Sequence, residues 1–292
     1  MTITIRAPAK LNLDLRIVAR RSDGYHDLLT LFQSIELHDT LRLTARPGPL
    51  TVRSRSRDLP QDRANLVWKA AEMLWGDLGR PGPPSGVSVS ITKAVPMAGG
   101  LGGGSSDAAS ALRGLCALWQ APTGEARLRE LAALVGSDVP YFLTGGLALG
   151  VGRGVRLRRL PDLERYWVVL AVPQFGVSSA DAYRWFDQDS VGLDTAPLPR
   201  GWRGRLEVLR NDLEGAVSDR YPVIRQMAER LRGSGAAHAA MTGSGSTVYG
   251  LFRAHSAAAA GRRAVRMTGW RTLLTRMVGR TEYDGLVAIA KT

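Results

Sequence analysis

The chain of 292 residues holds a single cysteine, Cys116, so no disulfide can form within it. That fits a reducing compartment, and a cytoplasmic location is expected. Cys116 follows Leu112 by four residues, on one helical face, and reads as a core residue. Long apolar runs are missing too. The longest, around residues 167–172, is far short of the roughly 20 residues a spanning helix needs, so no membrane partner is expected. The start, Met1-Thr2-Ile3-Thr4-Ile5-Arg6, has no apolar stretch of the signal-peptide kind, and none is expected. Histidine is sparse. His38, His238 and His255 stand isolated, and no His/Cys spacing of a zinc site occurs, so no protein-built metal site is expected. Lysine occurs only as Lys10, Lys69, Lys93 and Lys291, so the formal net charge of +13 rests on arginine. The arginines are scattered through every segment without interleaved aromatics. This reads as a solvated surface rather than a nucleic-acid groove, and no nucleic-acid partner is expected. Against that background a retained lysine is informative, because a compact ammonium does work that arginine's planar fork does not.

The length suits two domains with ample core, divided near residue 155 into 1–155 and 156–292. The first part alternates as strands do: residues 2–7, a strict run over 11–17, then 35–43 and 50–52. Arg21-Ser22-Asp23-Gly24 is a turn signal. Asn65 is placed to cap a helix through Leu66, Ala70, Met73 and Leu74, which Pro81, Pro83 and Pro84 end. Residues 87–91 alternate as a strand. Helices follow through Leu112, Leu115 and Trp119, and from Thr123 through Leu134. Residues 145–155 read as a strand pair or a domain edge. Beyond lie a strand at 167–172, a helix around 180–186, an irregular proline-bearing stretch to Arg200, a helix over 223–231, a strand through Leu251, an alanine-rich helix from Ser256 and a strand over 273–278. The mixture predicts an α+β fold in two parts, with the active site in the cleft between them.

The most informative stretch is Pro96-Met97-Ala98-Gly99-Gly100-Leu101-Gly102-Gly103-Gly104-Ser105-Ser106-Asp107-Ala108-Ala109-Ser110. Glycine lacks a Cβ, so the backbone turns tightly and a bulky ligand can come close to its N–H groups. A helix beginning at Ser105 or Ser106 leaves its first N–H groups unpaired and partly positive. Loop and helix end together form a phosphate cradle. The Walker A pattern needs a lysine after its glycines, and none follows here. The signatures of protein kinases are missing. A dinucleotide fingerprint belongs at a first strand–helix turn with an acid about 20 residues on, and neither condition holds.

This motif resembles the phosphate loop of the superfamily of galactokinase, homoserine kinase, mevalonate kinase and phosphomevalonate kinase. Ala7-Pro8-Ala9-Lys10-Leu11-Asn12-Leu13 and Met241-Thr242-Gly243-Ser244-Gly245-Ser246 are similar to that superfamily's first and third motifs. One branch fits best. Arg21-Ser22-Asp23-Gly24-Tyr25-His26, Leu31-Phe32-Gln33, Asn65-Leu66-Val67, Gly136-Ser137-Asp138-Val139-Pro140-Tyr141-Phe142, Gly152-Arg153-Gly154 and Asn211-Asp212-Leu213 resemble the 4-diphosphocytidyl-2-C-methyl-D-erythritol kinases, in order and over nearly the whole chain. The resemblance implies ATP-dependent phosphorylation of the 2-hydroxyl of diphosphocytidyl-methylerythritol in the non-mevalonate isoprenoid pathway. Gly24-Tyr25-His26 argues against a mevalonate-type kinase. An RNA-binding protein using the basic surface would leave Asp138 and the glycine loop unexplained.

The resemblance assigns roles by position. Met97, Ala98, Gly99, Gly100, Leu101, Gly102, Gly103, Gly104, Ser105 and Ser106 are expected to hold ATP, with Ser105 or Ser106 near Mg²⁺, an ion that prefers oxygen ligands and keeps several waters. Asn65, Lys93 and Pro96 are expected to flank adenine and ribose. Asp107 stands at a variable position and otherwise reads as a favourable acid in a first helical turn. Asp138 is the expected base, in a short loop before Pro140. Lys10 is its partner, keeping the carboxylate ionised and offsetting charge on the transferring group. Asn12 shares a strand face with Lys10 and is expected to reach the substrate's diphosphate or diol. Tyr25 and Tyr183 are expected to sandwich cytosine, with Trp185 or Phe186 as alternatives to Tyr183, and His26 to meet the base's edge. Gly243 and Gly245 let the second domain's backbone approach the ligands. The partner expected is a small molecule carrying a cytidine diphosphate, and the chain is expected to act as a monomer or homodimer.

Overall fold

The computed structural model describes residues 1–56, 58–189, 196, 198–199 and 201–291. The alternating N-terminal sequence folds into two long antiparallel strands, β1 (Thr2–Arg20) and β2 (His26–Pro49). The sequence predicts shorter pieces. The strands stay continuous because their register shifts between Pro8 and Lys10, between Asn12 and Asp14, and between Ile17 and Ala19. Such bulges admit an extra residue and bend the strand without ending it.

The first half continues with β3 (Thr51–Ser54), α1 (Leu66–Asp77), β4 (Ser85–Thr92), α2 (Gly103–Trp119), α3 (Glu125–Val135), α4 (Val139–Thr144), β5 (Leu147–Gly152) and β6 (Arg156–Arg159). The second half holds β7 (Trp167–Pro173), α5 (Ser179–Asp189), α6 (Asp212–Arg220), α7 (Val223–Gly233), β8 (His238–Met241), β9 (Val248–Phe252), α8 (His255–Ala264), β10 (Trp270–Arg276), α9 (Arg280–Leu286) and β11 (Ala290–Lys291). Asn65 caps α1 as expected, its Oδ1 accepting from the Val67 amide at 2.9 Å. The short helices α4, α6 and α9 carry too few turns to show a clear period. The proline-bearing stretch expected up to Arg200 falls largely outside the described residues.

One sheet runs β11-β1-β2-β4-β3, with β5 paired to β2 and β6 to β5. It therefore extends past residue 155, to Arg159, and takes back residues 290–291. The other sheet is β10-β7-β9-β8. Helices α1, α2 and α3 cover the first sheet, burying Val67, Leu112 and Leu131 with Leu43 and Ile91. Helices α7 and α8 cover the second, burying Met227 and Ala258 with Val169 and Val248. Between the halves a third apolar cluster joins Ala9, Leu11, Leu13 and Leu31 to Val168, Leu170, Tyr249 and Leu251. The architecture is α+β in two parts, built around the β1–β2 ribbon. Among the described residues no helix is long and apolar enough to cross a membrane.

Candidate active site

A cavity of about 980 Å³ opens where the two halves meet. Lys10 stands on β1 between two of its bulges, which aim its side chain at this cavity. The residue is buried, and its Nζ lies 3.4 Å from Asp138 Oδ2 and 2.5 Å from Asn12 Oδ1. The Phe32 ring closes the lysine's apolar side, 5.7 Å from Nζ. Asp138 sits at the N-cap of α4, with Pro140 in the first turn, yet its carboxylate makes no capping hydrogen bond. It stays about one-third exposed and faces the cavity. The two residues expected to work together, 128 positions apart, are thus adjacent. Asn12 lines the cavity too and braces the lysine. Its Oδ1 accepts from Lys10, its Nδ2 donates to Thr30 Oγ1 at 2.8 Å and its amide donates to Thr242 Oγ1 at 2.9 Å. It orients the lysine.

The glycine loop is pinned from both sides. The Lys10 amide donates to Leu101 O, and the Thr247 amide to Gly99 O. A Cβ at Gly100, whose φ is +75°, would stand 2.1 Å from Thr242 O. One at Gly102, with φ of +71°, would meet the Phe142 ring at 2.7 Å. At these two positions the neighbouring protein itself leaves no room for a side chain. Gly104 differs, since a Cβ there would meet only Leu66, at 3.8 Å. Helix α2 starts at Gly103, ahead of the expected Ser105 or Ser106, because Gly102 adopts the left-handed conformation of a cap. Its first return bond runs from the Ser106 amide to Gly102 O, and no side chain caps it. The amides of Gly103, Gly104 and Ser105 are left at the cavity's rim, a donor set that fits a phosphate chain. Ser105 lines the cavity, whereas Ser106 is buried and donates its hydroxyl to Pro8 O at 2.7 Å.

Lys93 is no surface charge. Its Nζ lies 2.5 Å from Asp39 Oδ2 and 2.8 Å from Asp107 Oδ2. Asp39 also accepts from the amides of Ala94 and Val95, at 2.6 and 2.9 Å, and so fixes the segment leading into the loop. Nothing singled out Asp39 beforehand; its one signal was an acid placed between Leu37 and Leu41 of a strand. Asp107 is buried, and burial raises its carboxyl to about 7, the neighbouring Lys93 opposing the shift and Asp39 adding to it. Pro96, Met97 and Leu66 line the cavity beside Lys93. Asn65 does not line it. That side chain is buried, capping α1 and donating to Pro60 O at 2.7 Å.

At the other end of the cavity Tyr25, His26 and Tyr183 come together. Of the three aromatics expected as alternatives, only Tyr183 lines it. Trp185 lies instead under the Arg220 guanidinium and beside Tyr221, and Phe186 packs into the second half's core. The arrangement is not two tyrosines stacked alone. His26 lies against Tyr183, with ring centroids 4.9 Å apart and planes 18° apart. Asp187 holds the His26 Nε2 at 2.8 Å. Burial, with the charge of Asp138 adding to it, pushes the Tyr183 phenol up, so it stays a donor. Tyr25 is half exposed beneath the Arg153 guanidinium, 4.1 Å from its ring. Arg153, from the Gly152-Arg153-Gly154 stretch, and Asp187 also line this end of the cavity; sequence reasoning missed Asp187, since a lone charge carries little signal.

The third glycine turn closes the site. Cβ atoms at Gly243 would stand 3.2 Å from both Lys10 Nζ and Asn12 Oδ1. Asn211, the cap of α6, donates to Gly243 O at 2.8 Å and to Met241 O at 2.9 Å. The Asn211-Asp212-Leu213 motif is thereby explained as the brace of this turn.

Residues 65–146 match the family model for the N-terminal domain of GHMP kinases, and residues 200–269 that for their C-terminal domain. The 4-diphosphocytidyl-2-C-methyl-D-erythritol kinase of Bacillus pumilus is 39% identical over 263 residues, 88% of this chain and 90% of that protein. The kinase of the same name from Pelotomaculum thermopropionicum is 41% identical, over 86% of this chain and 89% of that protein. A solved 4-(cytidine 5'-diphospho)-2C-methyl-D-erythritol kinase superposes with a TM-score of 0.79 at 33% identity, covering 94% of this chain and 99% of that one. The homoserine kinase of Cytophaga hutchinsonii, 18% identical with a TM-score of 0.74 over 95% of each chain, shares the fold. The chain belongs to the 4-diphosphocytidyl-2-C-methyl-D-erythritol kinase family of GHMP kinases.

Proposed function

We propose that this protein transfers the terminal phosphoryl group of ATP to the 2-hydroxyl of 4-diphosphocytidyl-2-C-methyl-D-erythritol, in the cytoplasm. The observation that carries this reading is the Lys10–Asp138 pair, 3.4 Å apart, in the cavity onto which the uncapped first turn of α2 also opens. Phosphoryl transfer needs positioning and charge stabilisation more than covalent help. The amides of Gly103, Gly104 and Ser105 hold the phosphates of ATP. The Ser105 hydroxyl would approach Mg²⁺, an ion that takes oxygen ligands; among the described residues there is no cluster of three or more His, Cys, Asp or Glu for a metal. When bound, Mg²⁺ offsets charge on the transferring phosphoryl group. Asp138 accepts the substrate's 2-hydroxyl proton. Lys10, oriented by Asn12, pairs with that carboxylate and faces the transferring group.

Tyr25, His26 and Tyr183 take the cytosine, and the Asp187 carboxylate sets which His26 nitrogen carries the proton. The adenine lies against Leu66, Pro96 and Met97, with Lys93 and Asp39 holding that segment in place. On this reading residues 1–155 bind ATP and carry the catalytic pair, and residues 156–292 complete the substrate site.

The test is ADP release by the purified protein supplied with ATP, Mg²⁺ and diphosphocytidyl-methylerythritol. Asp138→Asn and Lys10→Met should each lower turnover by at least about 100-fold. Near-normal turnover by either folded variant removes its assigned role. Turnover with mevalonate but not with the cytidyl substrate overturns the choice of substrate.

A further inference from the structure

A second hollow, also of about 980 Å³, lies on the outer face of the first sheet, and the proposed kinase reaction makes no use of it. Its floor crosses four strands in register. Thr4 of β1 pairs with Arg42 of β2, Arg42 with Ser90 of β4, and Ser90 with Arg53 of β3. Two arginines therefore flank one serine. Neighbouring strands lie about 4.8 Å apart, which sets the two arginine backbones about 10 Å apart. Arg55 lines the hollow just beyond β3, and Arg271 of β10 lines it from the other half.

Among the described residues no carboxylate lines this hollow, and none of the four arginine side chains makes an ion pair or a hydrogen bond. Some arginines elsewhere are matched, as Arg127 is by Asp77 and Glu130, and Arg276 by Glu36 and Glu282. Like charges gathered on one sheet face repel unless something opposes them. Guanidinium forks bind phosphate oxygens in pairs, and the hydroxyls of Ser90 and Thr92 stand beside them for oxygens left over. Two forks on strands two apart suit an anion with more than one phosphate. A hollow of this volume suits a small molecule rather than an extended polymer. The segment carrying Lys93, Pro96 and Met97 separates it from the catalytic cavity and lines both.

We propose that this hollow is a second anion site that binds a small organic diphosphate or triphosphate through Arg42, Arg53, Arg55 and Arg271. Such a ligand is either a nucleotide or an alkyl diphosphate. The probe is inorganic pyrophosphate, titrated calorimetrically into the full chain at fixed chloride concentration, because exposed charges are screened by salt. The parent should show two binding sites, one in each hollow. The double variant Arg42→Ser, Arg53→Ser should keep one and lose the other, with an unchanged melting temperature. Arg271→Ala, on the opposite sheet, should weaken the same site by about tenfold or more. ADP and a short alkyl diphosphate, run in parallel, tell the two ligand sources apart, and a variant-sensitive second site with either supports the proposal. One pyrophosphate site in the parent overturns it, as do two sites surviving in the variants. Binding of an RNA oligomer without pyrophosphate binding also overturns it, since the patch would then serve a polymer.

Discussion

Lys10 is a buried cation held on three sides: Asn12 accepts a hydrogen bond from it, Asp138 balances its charge and the Phe32 ring faces its Nζ. That an ammonium on β1 mattered was readable from its rarity and its motif. That Asn12 also orients it was not, because a side chain's partners come from segments distant in sequence, here Thr30 and Thr242. Asn65 meets the same limit: a cap and a ligand contact look alike in a string of letters, and its hydrogen bond to Val67 is that of the cap. The environment of His238 makes a separate prediction. Its residue is 7% exposed on β8, and burial, with the Arg232 charge adding to it, lowers its ring to about 4. The unfolded chain takes up this proton near pH 6.5 and the folded chain only near 4. The neutral ring's contribution to stability is therefore complete above about 6.5 and is lost as pH falls through 4, on the order of 3 kcal/mol in all. Urea midpoints measured from pH 7 down to 4.5 should fall less in His238→Gln than in the parent. Parallel curves would show that the ring does not titrate this way.

The phosphate loop and α2 act as one element, and here the sequence was legible in place and type. What it could not tell was which glycine answers to protein and which to ligand. Gly100 combines a φ of +75° with a carbonyl 2.1 Å from the missing Cβ, whereas Gly104 faces nearly open space. Gly100→Ala should destabilise the fold by about 2–4 kcal/mol, through left-handed strain and overpacking. Gly104→Ala should melt at or above the parent temperature, since alanine favours a helix, while raising the KM for ATP by about tenfold. Thermal melts beside ATP titrations check both, and equal melting of the two variants would erase the distinction. The β1–β2 ribbon was legible as strands but not as continuous ones. A bulge interrupts the period of two that reveals a strand, so the alternating runs read as separate pieces.

Across the whole molecule the two halves share one apolar layer, in which Leu11 and Leu13 of β1 meet Val168 and Leu170 of β7. Neither half can lose its core alone. Calorimetry of the ligand-free protein should show one cooperative transition, with van't Hoff and calorimetric enthalpies in agreement. Two resolved transitions would mean that the halves fold apart. Composition and motif order predicted the two-part α+β plan. They could not show the shared layer, because apolar residues read the same whichever sheet they face.

An unbroken ribbon through both halves also limits how the enzyme can move. Hinged kinases open like a clamshell, with a flexible connection absorbing the rotation. Here β1 passes beneath the cleft as a single spar of 19 residues, hydrogen-bonded to β2 along its length and buried on the way. Swinging the halves apart would shear that ladder. Admission of substrates and escape of products must therefore fall to small local gestures at the cleft's lips, such as rotation of Tyr25 out from under Arg153, within a frame that keeps its shape throughout the cycle.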